Sequence, residues 1–432
     1  MKRILFLLSS LVLIASCAKS QEEPMSLKMI HSQMHRCPEA TYLDFARGNF
    51  RWNYTPGLEL RAYTDAAEFY NDEEIYEYVK AWYDKAVNED GTINTYSVQT
   101  YSTDLICPAK SLFYFYDKTG DEKFRKAIDL VKTQIDGHPR TSEGAFWHKL
   151  RYPHQVWLDG VYMAEPFYVE YANRFLQGEE QLKAYDEIVN EFVIAAKHTY
   201  DPVTHLYRHA WDESHSQFWC NPETGQSQHC WGRALGWYCM ALNDVLEELP
   251  ATFARRQELI DILRQICAEL PKWADPESGV WYQVLDQPGR EGNYLEATCS
   301  VMFSYTFLKG IRLGFLDKDL LPYAKELYAN VVKTFISTDE EGWISLDQCC
   351  SVGGLGGNGN RMGDFAYYLS EPIRSNDSKG VGPSSGLPWR WKDSNKRRTW
   401  PRSTAAYARL PAIWTPGTMT PSAFAASTSW SA

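Results

Sequence analysis

The sequence predicts an all-α fold, a closed ring of helical hairpins that makes an α/α barrel. Three observations lead there. Apolar residues recur at helical spacing along most of the chain, and strand-like stretches are few and short. Turn signals fall between the helical runs, at Thr119-Gly120-Asp121, Gly178, Asn221-Pro222, Asp275-Pro276 and Gly289. No clean repeat of roughly 30 to 50 residues is visible, which favours a closed ring over an open solenoid. The longer loops are then expected at one end, as the active face.

Taken in order, the run 73–87 places Ile75, Val79, Trp82 and Ala86 on one face. A helix is expected over 104–116. Phe124, Ala127, Ile128, Val131 and Ile135 mark the next. Further helical runs cover 159–175, 181–199, 231–249, 255–273, 295–313 and 319–335. The stretches 280–285 and 343–346 read as small strands.

A chain of 432 residues, 44% of them hydrophobic, can bury a large core. Its 16 Trp and 27 Tyr offer flat faces of the kind sugar rings stack on, although most are expected in the core. A net charge of -11 argues against nucleic acid as a partner. It does not argue against an anionic sugar, because one arginine in a pocket can outweigh the global field.

Lys2 and Arg3 precede an apolar run over 4–14, and Ala15-Ser16-Cys17 follows. The run is short for a permanent membrane span. The pattern resembles a bacterial lipoprotein signal in which Cys17 becomes the lipidated N-terminus. The expected location is therefore exported, periplasmic or outer-membrane, with a membrane anchor at Cys17 and a polar tether over 18–23. The nine later cysteines show no CxxC pair and read as small buried hydrophobes, with room for one disulfide. His205 and His209 are four apart, but Tyr207-Arg208-His209-Ala210-Trp211-Asp212 reads as a loop without a third ligand. Neither a metal nor a cofactor is expected.

The composition changes after Pro383. Residues 384–432 hold seven Lys or Arg, a single acid, Asp393, and five Trp, without helical periodicity. The expectation is a shift of reading frame. Codons compatible with 384–396, moved by one base, encode Ile-Trp-Pro-Pro-Leu-Glu-Met-Glu-Arg-Leu-Lys and then a stop, an amphipathic helix with a natural end. The expected organisation is a signal segment over 1–17, a tether and N-terminal extension over 18–48, the barrel over 49–383 and an aberrant tail over 384–432.

The most informative segment is Gln155-Val156-Trp157-Leu158-Asp159-Gly160-Val161-Tyr162-Met163. It sets a carboxyl beside an aromatic at a helix start, where partial desolvation can keep it protonated near neutral pH. Asp159 can equally be the N-cap of its own helix. Asp104 poses the same choice before 105–116. Arg233 lies between Trp231 and Trp237 near a helix start and can pair with a carboxylate, or snorkel over aromatics at the surface. His148 and His209 can hydrogen-bond a sugar or a water. Trp52, Tyr54, Trp211 and Trp237 are candidate stacking walls.

Several segments combine: Trp52-Asn53-Tyr54 with Gly57; Tyr101-Ser102-Thr103-Asp104; Gly144-Ala145-Phe146-Trp147-His148-Lys149; His209-Ala210-Trp211-Asp212; Trp231-Gly232-Arg233-Ala234-Leu235-Gly236-Trp237; Asn293-Tyr294-Leu295-Glu296; and Tyr367-Tyr368-Leu369-Ser370-Glu371-Pro372. With the Asp159 segment they resemble the unsaturated rhamnogalacturonyl hydrolases of glycoside hydrolase family 105. The unsaturated glucuronyl hydrolases of family 88 are more distant.

The resemblance implies an (α/α)6 barrel acting on oligosaccharides left by a polysaccharide lyase, which end in a 4,5-unsaturated uronic acid. It also implies an exo-acting enzyme that hydrates the C4=C5 bond, so that an unstable hemiketal opens and the neighbouring sugar is released. By motif, Asp159 is the proton donor and water activator, and Asp104 the second acid. Trp52, Tyr54, His148, His209, Trp211, Trp231, Arg233 and Trp237 are the expected substrate contacts. Leu235 stands where the family commonly has Asn, Tyr152 and Pro153 occupy the loop before Asp159, and the tail replaces a final helix. Two other classes fit the residues: an inverting glycosidase using Asp104 and Asp159 on saturated glycosides, and a lipid-anchored glycan-binding protein.

Overall fold

The computed structural model describes residues 23–386, apart from 358 and 360. The signal segment with Cys17, and the tail from 387 onward, lie outside the described residues. The helices are α1 (Met25–Arg36), α2 (Tyr54–Tyr70), α3 (Glu73–Ala86), α4 (Leu112–Thr119), α5 (Glu122–Gly137), α6 (Leu158–Phe175), α7 (Gly178–Thr199), α8 (Gly232–Glu248), α9 (Arg256–Glu269), α10 (Ala297–Leu313), α11 (Leu321–Phe335), α12 (Phe365–Ser370) and α13 (Ser378–Ser385). Three small antiparallel pairs accompany them: β1 (Gln155–Trp157) with β2 (Ala210–Asp212), β3 (Ile336–Thr338) with β4 (Ile344–Leu346), and β5 (Cys349–Cys350) with β6 (Ile373–Arg374).

The helices form two concentric rings. The inner ring runs α2, the 3-10 turn Cys107–Ser111 leading into α4, then α6, α8, α10 and α13, which returns to α2. Outer partners α3, α5, α7, α9, α11 and α1 pack behind them. The architecture is an (α/α)6 barrel, as the sequence predicts.

Burial follows the ring. Inner α10 is buried from Ala297 to Ile311 without a polar face, because other helices surround it. Outer α3 is amphipathic, burying Ile75, Tyr76, Val79, Trp82, Tyr83 and Ala86 and exposing its other side. Its start is fixed by the Asp72 carboxylate, which accepts from the Ile75 N–H, and by Glu73 and Glu74 in the first turn.

Several elements differ from the sequence expectation. Pro108 breaks the run 104–116 into 3-10 turns, so that α4 starts only at Leu112. Helix α2 is absent from the sequence expectation, since Pro56 and Gly57 weaken the helical signal at its start. Pro56 is tolerated in the first helical turn. Gly57 is required by packing, since a Cβ there would lie 2.7 Å from Pro108. The stretch 280–285 is not a strand; it makes only single bridges, Tyr282 to Leu295 and Trp231 to Val284.

The extension over 18–48 contains α1, with Met29 and Ile30 in the core, and a 3-10 segment Ala40–Phe45. Helix α1 is the outer partner of α13, so the sixth hairpin is assembled from opposite ends of the described chain. Helix α13 continues to a buried Ser385, two residues past the expected boundary. The nine described cysteines are all free thiols, so the disulfide that the sequence allowed does not form among them.

Where α13 meets α2, Glu59 is wholly buried and accepts hydrogen bonds from Ser378 Oγ and from Tyr63 Oη at 2.7 Å. Burial pushes its pKa from the ordinary 4.5 up to about 7, against the pull of those two donors. Between these values the native state binds more protons than the unfolded chain. Stability therefore falls as pH rises through that window, by about 1.4 kcal/mol per pH unit from this group. Denaturant titrations of wild type and Glu59→Gln from pH 5 to pH 8 test this: the variant should lose the Glu59 part of the slope.

Candidate active site

The inner helices all begin at one end of the ring, and the candidate residues gather there. The β1/β2 ladder sets the centre. Its register pairs Trp157 with Ala210, so Asp159 in the first turn of α6 comes beside His209 just before β2. Leu158 N–H donates to the His209 carbonyl at 3.2 Å. Asp159 Oδ2 then lies 3.2 Å from His209 Nε2, with the Asp159 side chain 13% exposed. Neither atom has a well-aligned hydrogen-bond partner among the described residues. Asp159 does not cap its helix: the N-cap is Trp157, and no side chain caps this end.

His209 is wholly buried, packed between Trp157 and Trp231. Its Nδ1 is 2.8 Å from Tyr368 Oη.

The second acid comes from the turn Thr103–Leu105. Asp104 is not its N-cap, a position held by Ser102. The Asp104 carboxylate pairs with Lys149 Nζ, and its Oδ1 lies 3.9 Å from His148 Nε2. His148 is buried, with Nδ1 3.1 Å from Thr103 Oγ1. Burial first, then the neighbouring Lys149 ammonium, hold its pKa well below the ordinary histidine value, so the imidazole is neutral. A side chain at position 160 would come within 3.1 Å of His148 Nδ1 and 3.4 Å of Thr103 Oγ1. Gly160 thus allows the Asp104 and Asp159 segments to meet.

Arg233, in the first turn of α8, is 1% exposed rather than spread over the surface. Its Nη1 donates to the Cys350 carbonyl and lies 3.5 Å from Thr298 Oγ1. The guanidinium sits 4.6 Å over the Trp231 ring, and Nε has no partner among the described residues. Glu296 organises this cradle. Its carboxylate accepts from Cys350 N, Cys299 N and Thr298 Oγ1, each at 2.8 Å. Tyr54 feels both Asp104 and Arg233; burial pushes its phenol well above the ordinary value and keeps it neutral.

The aromatic walls are arranged differently from expectation. Trp52 stacks on Trp82 in the core and donates Nε1–H to the Leu105 carbonyl at 2.8 Å, which steadies the backbone beside Asp104. Trp211 lies flat on His198 of α7 at 3.7 Å, because alternation along β2 turns it toward the outer ring. Neither offers an open face to a sugar. Trp231 and Trp237 are also buried: Trp231 touches Arg233, His209 and Tyr368, and Trp237 packs on Tyr162 and Tyr54. Leu235 is wholly buried. His205 bonds Tyr200 Oη at 2.6 Å, away from His209, and among the described residues no cluster of three or more His, Cys, Asp or Glu is arranged for a metal.

Sequence reasoning gave no role to Lys149, Thr103, Glu296 or Tyr368. Lys149 and Thr103 lie next to His148 and Asp104, which it did single out. Glu296 carries its own signal, an N-cap pattern ahead of a long apolar helix.

A ring of helical hairpins with two carboxyls, a neutral histidine and a buried arginine at one mouth describes a carbohydrate-active enzyme. The comparisons agree. Residues 25–385 match the sequence model of Glycosyl Hydrolase Family 88. A family 105 glycoside hydrolase from C. acetobutylicum superposes with a TM-score of 0.80 at 43% identity, over 85% of this chain and 98% of that one. The unsaturated rhamnogalacturonyl hydrolase YesR of Bacillus subtilis is 25% identical over 309 residues, covering 69% of this chain and 79% of YesR. An unsaturated glucuronyl hydrolase from Bacillus sp. GL1 shares the fold alone, with a TM-score of 0.57 at 13% identity over 85% and 95% of the two chains. The chain belongs to glycosyl hydrolase family 88 and its family 105 relatives, and is a glycoside hydrolase.

Removing the Glu296 carboxylate leaves buried donors unpaired and takes away a charge that compensates Arg233, at about 3–5 kcal/mol. Glu296→Ala is expected to lose stability in that range by chemical denaturation, and Glu296→Gln less, because Gln retains an acceptor for Cys350 N.

Proposed function

We propose that the protein is an exo-acting hydrolase of unsaturated uronyl oligosaccharides. Its substrates are polysaccharide-lyase products, unsaturated rhamnogalacturonan fragments in the first place. The observation that carries this reading is the juxtaposition of Asp159, His209 and the buried Arg233 at the converging helix starts. In support, a uronate carboxylate fits a buried arginine whose Nε has no partner among the described residues, at a ring end where helix dipoles favour anions.

In the reaction, the Asp159 carboxyl gives its proton to C4 of the alkene, and a water molecule adds at C5. The Asp159 carboxylate takes a proton from that water, so one group serves both steps. His209 Nε2, at 3.2 Å, orients it. The C5 hemiketal opens to a ketone, the C1–O bond breaks, and the saturated sugar leaves with its oxygen protonated. Asp104, held by Lys149, binds ring hydroxyls across the site. The protein is further proposed to work outside the cytoplasm, held to a membrane by lipid on Cys17. This rests on Lys2, Arg3 and the apolar run before that cysteine.

The C4=C5 chromophore absorbs in the ultraviolet, so turnover of lyase-digested pectin fragments should bleach it. Asp159→Asn should lower kcat by about 10²- to 10⁴-fold while the substrate still binds. Cleavage of saturated glycosides with the chromophore left intact would reject hydration.

A further inference from the structure

The rim of the site carries two arginines that the hydration steps leave unused, beside Lys149, which holds Asp104. Its hub is Tyr152, in the loop between His148 and β1. The Arg151 guanidinium lies 4.9 Å over the Tyr152 ring, Lys149 Nζ lies 6.0 Å from it, and Arg361 Nη2 donates to Tyr152 Oη at 3.1 Å. Tyr152 stacks on Trp157 at 5.1 Å, and Trp157 stacks on His148 at 4.4 Å. The hub therefore connects directly to the catalytic face. Lys149 makes the same link in charge, since its ammonium pairs with Asp104.

Arg151 and Arg361 differ from the arginines that are locked into ion pairs. Arg125, Arg140, Arg174, Arg208, Arg255 and Arg374 each hold a carboxylate. Arg151 is exposed, Arg361 is half-buried, and neither has a carboxylate partner among the described residues. Two uncompensated guanidinium groups on a chain of net charge -11 make a local positive site. The Arg361 side chain is fixed by its bonds to Tyr152 and, through Nε, to the Gly356 carbonyl at 3.1 Å. Exposed Leu150 and Met362, next in sequence to the two arginines, suit the apolar face of a sugar ring.

We propose that Arg151 and Arg361 form a distal subsite at the edge of the Lys149–Asp104 pair. It takes the carboxylate of an acidic sugar in the saturated part of the substrate, beyond the residue being removed. This rests on the function proposed above and deepens it: the enzyme selects acidic oligosaccharides over neutral ones of the same length. A planar guanidinium supplies paired N–H donors for a carboxylate, and at an open rim the attraction is screened by salt.

The test compares three unsaturated substrates by loss of ultraviolet absorbance: a disaccharide, a longer oligosaccharide with a uronate in the saturated part, and that oligosaccharide with the uronate reduced to the neutral sugar. Wild type should favour the acidic over the reduced oligosaccharide by about tenfold in kcat/KM, expressed in KM, and the ratio should shrink as salt is raised. Arg151→Gln should bring the ratio toward one, and Arg151→Glu should bring it to one or below, with the disaccharide as internal reference. Equal kcat/KM for the acidic and reduced oligosaccharides in wild type overturns the subsite. Absence of turnover on all three substrates overturns the reaction itself, so the two failures are distinct.

Discussion

The site depends on one geometric constraint: the inner helices of the ring all start at the same end. Each brings unsatisfied backbone N–H groups and the positive end of its dipole to that mouth. Acidic side chains are stabilised there, and three inner helices carry one: Asp159 in the first turn of α6, Glu296 as N-cap of α10 and Asp377 as N-cap of α13. A buried arginine is tolerable in the same place because Glu296 and Asp377 compensate its charge. The outer ring takes no part in this chemistry. It supplies the apolar wall that keeps the inner helices aligned.

Burial decides what the aromatic residues do. A chain this rich in Trp and Tyr suggests open stacking platforms, yet the indoles of the site are packed behind polar groups. Trp157 and Trp231 enclose His209, Trp231 backs Arg233, and Trp52 pins the backbone next to Asp104. Flat rigid rings with few rotatable bonds hold a polar constellation in place at low entropic cost. The aromatic content is spent on fixing positions rather than on offering faces.

Much of this was legible in the sequence, and the exceptions have physical causes. Periodicity located α3, α5 and α7 because outer helices are amphipathic, and it located α6, α8 and α10 because their apolar runs are long. It lost α2, where Pro56 and Gly57 weaken the helical signal, and α13, which is short and rich in Gly and Ser. Motif resemblance named Asp104, Asp159, His148, His209, Arg233 and Tyr54, and the fold brings these together. It could not separate them from Trp52 and Trp211, since the direction an indole faces depends on partners far along the chain. The same reason hid Tyr368: its contact with His209 spans 159 residues.

The pairing of α1 with α13 gives the ring a particular history. Five hairpins join neighbours in the chain and can form as the polypeptide emerges from the ribosome, whereas the sixth waits for the C-terminal stave to appear. Until then the nascent barrel is an open crescent, with an apolar seam along α2 and α10 turned to solvent. Closure is thus a late, long-range event. Escape from aggregation therefore depends on the last of the described helices to be synthesised.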